Sequence, residues 1–459
     1  MPTDRRGFLG AGLGLVAAGV AHAADKSTDA DRTLRVLVIG SGGRGSDLIR
    51  SLVTIEGASI VGVCDDYPPH LAKGLEYAGK QAEGFSSHTD ALKKLSPDAV
   101  VIAVPLHLHY KIALDAFAAG AAVFCEKTMC STIDDALKLH DHVVEKKLIF
   151  QVGLQRRANP IYIQAQAMIE SGILGRIVSI EAQWHRNNSW RRPLPVPRDN
   201  PEWPALERKL NWRLYREYSG GLMTELGSHQ MDVANWLLGT VPKRVMATGG
   251  IDFWRDGRDV YDNIFCVYEY ELPLPEPASA AKNSTDPGKT LPDRSGPIGV
   301  AEANAKTYTV RATYSSLCNN AYEGASELIM GTNGSLYLTS GKGLFYRENA
   351  PAKIDWAAGG DGGQRAKKNA DVVTAGATLK LSNDPWAHRG KPLEIDNDSG
   401  DDTRGELNAF LDNVRRGDPA TIADAKTGLA DAATVILANH AAEQGKAVEF
   451  PDDVRKRLT

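Results

Sequence analysis

Apolar residues recur along this chain in two alternating patterns that together predict an α/β protein. Residues 35–39, 59–64 and 99–104 are short, nearly continuous apolar runs, which is typical of strands buried on both faces of a parallel sheet. Between them, residues 46–53 and 110–120 carry apolar side chains at helical spacing. Strands that alternate with helices predict a parallel sheet covered by crossover helices.

The pattern changes in the second half of the chain. Residues 177–187 alternate apolar and polar side chains, which predicts a strand of an antiparallel sheet. Residues 273–306 have no apolar period and are expected to form a long loop, and residues 350–401 are a second weakly patterned stretch in which Gly and charged residues dominate. Further strands and helices are predicted at residues 121–125, 162–172, 263–270, 307–313, 402–416 and 422–444.

The first predicted strand leads into a glycine fingerprint at residues 40–45, which opens the first predicted helix. Gly40 permits a tight turn, Gly42 lets the backbone approach a pyrophosphate, and Gly45 lets helix and strand pack closely. The N-terminus of the helix adds unpaired N–H groups and a positive dipole. This arrangement predicts a Rossmann-type dinucleotide site.

An acid follows the second predicted strand. Asp65 stands about twenty residues after the fingerprint, where it would accept hydrogen bonds from the adenosine ribose hydroxyls. This favours NAD as the cofactor. NADP stays open, because Ser41 and Arg44 could contact a 2′-phosphate.

Polar residues also follow the next two strands. The carboxyl ends of strands face the ligand crevice in doubly wound sheets, so side chains there are expected beside a bound dinucleotide. These residues are Pro105, His107, His109, Glu126 and Lys127.

These strand-end residues resemble the Gfo/Idh/MocA oxidoreductase family, which carries a strand-end Pro, a His four residues later and a Glu-Lys-Pro motif. The chain departs from that pattern at Leu106, where the family usually has Asn, and at Thr128, where it has Pro. The family's Pro positions the Lys through its peptide geometry, so Thr128 leaves the local backbone open while the ammonium is kept. The resemblance extends from Thr33 to about Phe450.

A second motif, residues 219–239, predicts a helix that ends at Gly239. Glu225, His229 and Asp232 are four and three residues apart, so all three can share one face. The resemblance implies that Lys127, His229 and Glu225 are catalytic, with Glu225 orienting the His229 ring, although the family has Asp at the position of Glu225. The alternative is a structural His paired with a carboxylate of its own helix.

Polar aromatic and basic residues gather between these motifs. Sugar sites combine an apolar platform with forked hydrogen-bond donors, and Trp beside Arg, His and Asn supplies both. The alternative is a loop pinned by aromatic anchors and surface arginines. The predicted substrate contacts are Arg157, His185, Arg186, Asn187, Trp212, Arg213, Tyr215 and Asp232, and Gln155 is predicted to contact the cofactor.

Composition limits the possible functions. The chain has 459 residues, 42% of them hydrophobic, which is enough for two domains. A net charge of -4, without a basic helix face, gives no reason to expect a nucleic-acid partner. The five cysteines lack metal-site spacing, so no metal is predicted and mostly free thiols are expected.

The N-terminus resembles a twin-arginine export signal. Arg5 and Arg6 precede Phe8-Leu9, a mildly apolar stretch and a small-x-small site ending at Ala23. The alternatives are an ordinary secretory signal and a basic N-terminus before a short apolar helix; the apolar run is too short to span a membrane. The twin-arginine export machinery is therefore an expected partner. The mature chain is expected in the periplasm without membrane insertion, and its cofactor, loaded before export, is expected to be tightly bound.

These features predict a signal peptide at residues 1–23, a linker at 24–32, a Rossmann domain at 33–150 and, at 151–450, an α/β domain with a large, mostly antiparallel sheet. The predicted function is hydride transfer between the bound cofactor and a sugar, glycoside or polyol hydroxyl, with a 3-keto sugar as one conceivable product. A redox-neutral NAD-dependent glycoside hydrolase acting through a transient ketone is the alternative, and a non-catalytic sugar- or nucleotide-binding protein is the third. The family resemblance also implies a homodimer or homotetramer.

Overall fold

The computed structural model describes residues 32–274, 306–348, 389–395 and 401–458. The predicted signal peptide, nearly all of the linker, and most of residues 273–306 and 350–401 lie outside the described residues. Within the described ranges, no helix is both long enough and apolar enough to cross a membrane.

The first sheet contains six parallel strands in the order β3-β2-β1-β4-β5-β6. This is the strand order of Rossmann folds, in which the ligand binds where the order reverses, beside the carboxyl ends of β1 and β4. The strands are β1 Leu34–Ile39, β2 Ala58–Cys64, β3 Glu83–Phe85, β4 Ala99–Ile102, β5 Ala122–Glu126 and β6 Phe150–Gly153. The helices that follow them are α1 Gly43–Leu52, α2 Pro68–Ala78, α3 His88–Leu95, α4 His109–Ala118 and α5 Ile133–Lys146.

The sixth strand corrects the interpretation of residues 151–153 as the opening of the second domain. β6 pairs with β5 from Phe150 to Gly153, so these residues complete the first sheet. Its hydrogen bonds to β5 and its full burial place it there.

A helix from the far end of the chain also belongs to the first domain. Helix α9, Asp402–Arg416, packs its buried Leu407, Phe410 and Leu411 into the same apolar cluster as β1. The ring of Phe410 lies 5.8 Å from that of Phe124, centroid to centroid. The core of the first domain is therefore closed by residues that follow strands β7 to β14 of the second sheet in sequence.

The second sheet has nine strands in the described part of the chain, in the order β14-β13-β12-β11-β7-β10-β9-β8-β15. Only the β7–β10 pair is parallel among these, which confirms the predicted large, mostly antiparallel sheet. Strand β14 lies within the weakly patterned stretch at residues 350–401, where no strand was predicted. The strands are β7 Ile177–Asn187, β8 Arg244–Gly250, β9 Asn263–Pro273, β10 Thr307–Leu317, β11 Asn319–Gly331, β12 Gly334–Thr339, β13 Lys342–Glu348, β14 Arg389–Ile395 and β15 Val448–Glu449.

The remaining helices are α6 Pro160–Glu170, α7 Trp203–Leu210, α8 Ser228–Leu238, α10 Ala425–Gln444 and α11 Asp452–Leu458. Among them, α6, α8 and α10 pack against strands of the second sheet. Helix α10 is buried along most of its length and packs against α5, α8 and β8, so it ties the two domains together. Helix α8 ends at Gly239 with φ +64°, as the motif predicted.

Candidate active site

The glycine turn has the shape that a dinucleotide requires. Gly40 has φ +91°, and a Cβ placed on it would lie 2.4 Å from the carbonyl oxygen of Ala103. A Cβ on Gly45 would lie 2.0 Å from the carbonyl oxygen of Gly40. The helix N-cap, Gly42, has no side-chain cap, so the first N–H groups of α1 have no side-chain acceptor there. These features fit the pyrophosphate of a dinucleotide.

Asp65 lies at the end of β2, as predicted, and its carboxylate is held by the backbone. Oδ2 accepts a hydrogen bond from the N–H of Ser41 at 2.8 Å, and Oδ1 accepts one from Tyr67 at 2.9 Å. The hydroxyl of Ser41 is buried and donates to the carbonyl oxygen of His70 at 2.9 Å. Ser41 thus orients Asp65, and its contact with a 2′-phosphate stays a prediction.

Arg44 is also bound to protein groups. Its Nε donates to Glu126 Oε1 at 2.6 Å, and its Nη2 donates to Glu406 Oε1 at 2.9 Å. Burial opposes the charge of Arg44, but Glu126 and Glu406 outweigh it and raise the pKa above the ordinary value. Its Nη1 donates to the Thr403 hydroxyl at 2.9 Å, so each guanidinium nitrogen has a protein partner, and the contact of Arg44 with a 2′-phosphate stays a prediction.

A first cavity of about 740 Å³ lies above the glycine turn. The first domain contributes the predicted residues Gly40, Gly42, Arg44, Asp65, Pro105 and His107. The second domain contributes Arg192, Arg208, Lys209, Trp212 and Arg213. The cavity is therefore formed between the two domains at the carboxyl ends of the parallel strands.

A second cavity, of about 300 Å³, shares Arg44, Arg192, Trp212 and Arg213 with the first. Into it project the predicted residues Glu126, Lys127, Gln155, Glu225 and His229. His109 also lines it, but both ring nitrogens lie within 3.0 Å of the carbonyl oxygens of Thr128 and Val104. His109 therefore holds the backbone at Thr128 and Val104.

The ammonium of Lys127 is positioned by the backbone before α8. Its Nζ donates to the carbonyl oxygen of Glu225 at 2.7 Å and lies 3.4 Å from that of Thr224. The bond from Lys127 to Thr128 is cis, and the Thr128 hydroxyl contacts the same Thr224 oxygen at 3.0 Å. Burial lowers the pKa of Lys127, while Glu225 and Glu126 oppose the shift.

Glu225 does not orient His229, which corrects the prediction from their spacing. Its Oε2 accepts from Arg213 Nε at 2.9 Å, and its Oε1 accepts from Ser219 Oγ at 3.1 Å. Burial would raise the pKa of Glu225, but Arg213 and Lys127 bring it below the ordinary value. Residues Met223–Gly227 form a π-helical turn, whose wider spacing changes which side chains are neighbours.

His229 is nearly buried, with 8% of its surface exposed. Its ring packs beside the indole of Trp184, with centroids 5.6 Å apart, and makes no hydrogen bond to a described residue. Burial, and then the charge of Lys127, lower its pKa well below 6.5. The imidazole is therefore neutral at pH 7 and faces the second cavity with a free nitrogen.

Several residues that were predicted to contact the substrate are bound to other protein groups outside the two cavities. Asp232 accepts hydrogen bonds from Arg157, at 2.7 Å to Nη2, and neither lines the two cavities described above. The hydroxyl of Tyr215 donates to buried Glu207 at 2.8 Å, so Tyr215 is a loop anchor. All three side chains are bound to other protein groups and none lines the two cavities, so the structure does not place them as substrate contacts.

The predicted substrate contacts at the end of β7 also lie away from the two cavities. His185 contacts Ser315 Oγ at 2.8 Å, the Arg186 guanidinium lies 3.8 Å from the Trp190 ring centroid, and Asn187 pairs with β11; none lines the two cavities. Alternate side chains of a strand point to opposite faces, so Trp184 faces α8 when His185 faces away. The alternation of side chains along β7 could have predicted that Trp184 packs beside His229, a contact that was not predicted from the sequence.

No cluster of three metal-ligating side chains occurs in the described ranges. The five cysteines, Cys64, Cys125, Cys130, Cys266 and Cys318, are free and buried. For Cys125 and Cys130, burial raises the thiol pKa well above its ordinary value. These thiols are core residues.

The fold and the cavity between its domains define a two-domain dinucleotide-binding protein with a polar pocket beside the cofactor site. The chain belongs to the Gfo/Idh/MocA family. Residues 34–154 match the model described as the oxidoreductase family with an NAD-binding Rossmann fold, and residues 162–272 match the family's C-terminal domain. The first match confirms NAD as the cofactor class of the first domain.

Two curated relatives illustrate the similarity. Inositol 2-dehydrogenase 2 of Saccharopolyspora erythraea is 31% identical over 215 residues, covering 45% of this chain and 54% of the relative. Levoglucosan dehydrogenase of Pseudarthrobacter phenanthrenivorans is 28% identical over 185 residues, covering 37% and 44%. The chain thus spans about half the length of the curated relatives it matches.

Two solved structures share the fold. Levoglucosan dehydrogenase in complex with NADH and levoglucosan superposes with a TM-score of 0.63 and 17% identity, covering 91% of this chain and 100% of that one. Scyllo-inositol dehydrogenase from Lactobacillus casei, with NAD(H) and scyllo-inositol bound, gives a TM-score of 0.59 and 17% identity, covering 91% and 99%.

Proposed function

We propose that the protein is an oxidoreductase that transfers a hydride between a tightly bound NAD and a CH–OH group of a sugar, glycoside or polyol. The observation that carries this proposal is the second cavity, where Lys127 and a neutral His229 lie beside the dinucleotide cavity. A relative whose name describes inositol oxidation, and another that describes levoglucosan oxidation, support the same substrate class.

Two residues of the second cavity have separate roles in alcohol oxidation. His229 accepts the hydroxyl proton, because its neutral ring has a free nitrogen. Lys127 stabilises the developing alkoxide with an N–H that its two carbonyl partners leave available. A bound NAD would supply the hydride acceptor, and the carbon that loses the hydride would become a carbonyl.

The lining of the second cavity suits a polyhydroxylated substrate. Trp190 and Trp212 offer apolar ring faces, and Gln155 offers a hydrogen-bond donor. The Arg213 guanidinium stacks 4.1 Å from the Trp212 ring centroid and is fixed by Glu225, so this wall is preorganised. A rigid wall reduces the entropy lost on substrate binding.

Export by the twin-arginine pathway is part of the proposal. It is supported by Arg5, Arg6 and the small-x-small site at the N-terminus, and periplasmic location would explain a cofactor that stays bound and is recycled. Fractionation of cells that express the natural chain and an Arg5→Lys/Arg6→Lys variant tests it. Equal amounts of both proteins in the periplasm would contradict the twin-arginine assignment.

Replacement of Lys127 tests the enzymatic proposal. With sugars and polyols as substrates, Lys127→Met should retain NAD but slow single-turnover reduction by at least about a hundredfold, because a positioned charge is lost. Lys138→Met removes an exposed lysine from α5 and serves as the control. Near-normal reduction by Lys127→Met would remove Lys127 from the mechanism.

Mass spectrometry of the product completes this test. A product two hydrogens lighter than the substrate supports the oxidoreductase. Release of a leaving group with no change in redox state would instead assign the redox-neutral hydrolase.

A further inference from the structure

The segment between β7 and the π-helical turn crosses from the second domain over the first cavity. We define it as the crossover segment, residues 188–214. Its shape is fixed by Glu207, which is 3% exposed and whose carboxylate accepts from Asn211 Nδ2 and from the Tyr215 hydroxyl, each at 2.8 Å. Arg191, at the other end of the segment, forms an ion pair with the same carboxylate. The crossover segment therefore has a defined conformation, which is held by hydrogen bonds and an ion pair to one buried carboxylate.

The crossover segment is attached to the first domain next to the ribose-binding acid. Lys209 Nζ lies 3.0 Å from Asp66 Oδ2 and 3.3 Å from the Asp66 carbonyl oxygen. Asp66 directly follows Asp65. The contact therefore spans the first cavity from the second domain to the carboxyl end of β2.

Arg192 lies where this segment passes the glycine turn. Its Nη2 lies 3.4 Å from the position that a Cβ on Gly43 would occupy. The side chain lines both cavities, and within the described ranges its guanidinium has no carboxylate partner. Arg213, the neighbouring cation, is already paired with Glu225.

Two sources of positive potential therefore face the same space. One is the N-terminus of α1, which has no acidic residue in its first turn and no side-chain cap. The other is Arg192, whose planar donors match a phosphate group bidentately. An anion between them would satisfy both, and the pyrophosphate of a dinucleotide is placed there by the glycine turn.

We propose that the crossover segment is a clasp that retains NAD, with Arg192 binding the pyrophosphate from the second domain and the Lys209–Asp66 pair holding the segment against the first. This inference rests on the NAD site of the proposed function. It assigns the slow release of the cofactor to particular residues outside the Rossmann fingerprint.

The dissociation rate of NADH tests the clasp. Protein loaded with NADH is mixed with excess NAD, and the loss of NADH fluorescence is followed. Arg192→Gln should release NADH about ten- to a hundredfold faster than the natural protein, the range expected for one charge-assisted hydrogen bond. Lys209→Met, which breaks the attachment to Asp66, should also accelerate release. Arg198→Gln is the matched control, because Arg198 lies on the same segment but does not line the cavity.

The possible outcomes distinguish failure of the clasp proposal from failure of the proposed function. Natural release rates in Arg192→Gln would overturn the clasp, and a higher sugar KM in that variant with unchanged NADH release would assign Arg192 to the substrate. Faster release from Arg192→Gln in a protein that oxidises no sugar would support the clasp and contradict the proposed function. A natural protein that binds no NADH would overturn both.

Discussion

Replacement of His229 by Gln distinguishes a catalytic base from a core histidine. Gln keeps a polar side chain of similar size against Trp184 but cannot accept a proton near neutral pH. Loss of a positioned general base costs about a hundred- to ten-thousandfold in rate. We therefore expect hydride transfer to bound NAD to fall by at least about a hundredfold while sugar binding persists.

The structure also sets the expected effect on stability. His229 makes a ring contact with Trp184 and no hydrogen bond to a described residue, so the cost of His229→Gln should be small, about 1 kcal/mol. The pKa of His229 is lower in the folded protein than in the unfolded chain. The unfolded chain therefore binds more protons below about pH 6.5, and the natural protein loses stability as pH falls. His229→Gln should lose less stability between pH 8 and pH 5.5.

The assay combines single-turnover reduction of bound NAD with thermal melts at the two pH values. His140→Gln is the comparison, because His140 is buried on α5, contacts Asp141 at 3.0 Å and lies outside both cavities. That variant should melt earlier and keep its hydride transfer. A His229→Gln protein with near-normal hydride transfer would refute the assignment of His229 as the base.

Two further predictions concern the cofactor site. Asp65→Ala should weaken NAD binding about tenfold or more, measured by calorimetry, because the ribose acceptor is lost; unchanged affinity would exclude Asp65 from the ribose site. Arg44→Gln should lower the free energy of unfolding by about 3 to 5 kcal/mol in urea titrations at pH 8, because Glu406 is left buried without its cation. Adding Glu406→Gln should recover part of that loss, and no recovery would contradict the ion-pair explanation.

The sequence predicted the parts of the fold that depend on local pattern. The apolar run at residues 35–39 and the helical period at 402–416 match β1 and α9 closely, because burial and periodicity are local properties. The short edge strand β3, three residues long and partly exposed, carries no such pattern. The Gfo/Idh/MocA resemblance supplied the order in which the elements assemble.

The candidate site was predictable where residues follow strands and less so where they pair over long distances. Lys127 and His229 meet as expected in one cavity. Glu225 was predicted to contact His229 but instead accepts a hydrogen bond from Arg213. Residue spacing alone does not show which of these two partners Glu225 prefers. The contact of Arg44 with Glu406 joins residues far apart in sequence, so it appears only in the folded molecule.

Helix α9 has a consequence for when the protein can become functional. Residues Leu407, Phe410 and Leu411 fill the core of the first domain, and Glu406 binds the arginine of the glycine turn. A chain stopped after β6 would leave that apolar surface open to water and Arg44 without one of its two carboxylates. Synthesis must therefore continue through strand β14 of the second sheet and through α9 before the nucleotide-binding half has its complete core.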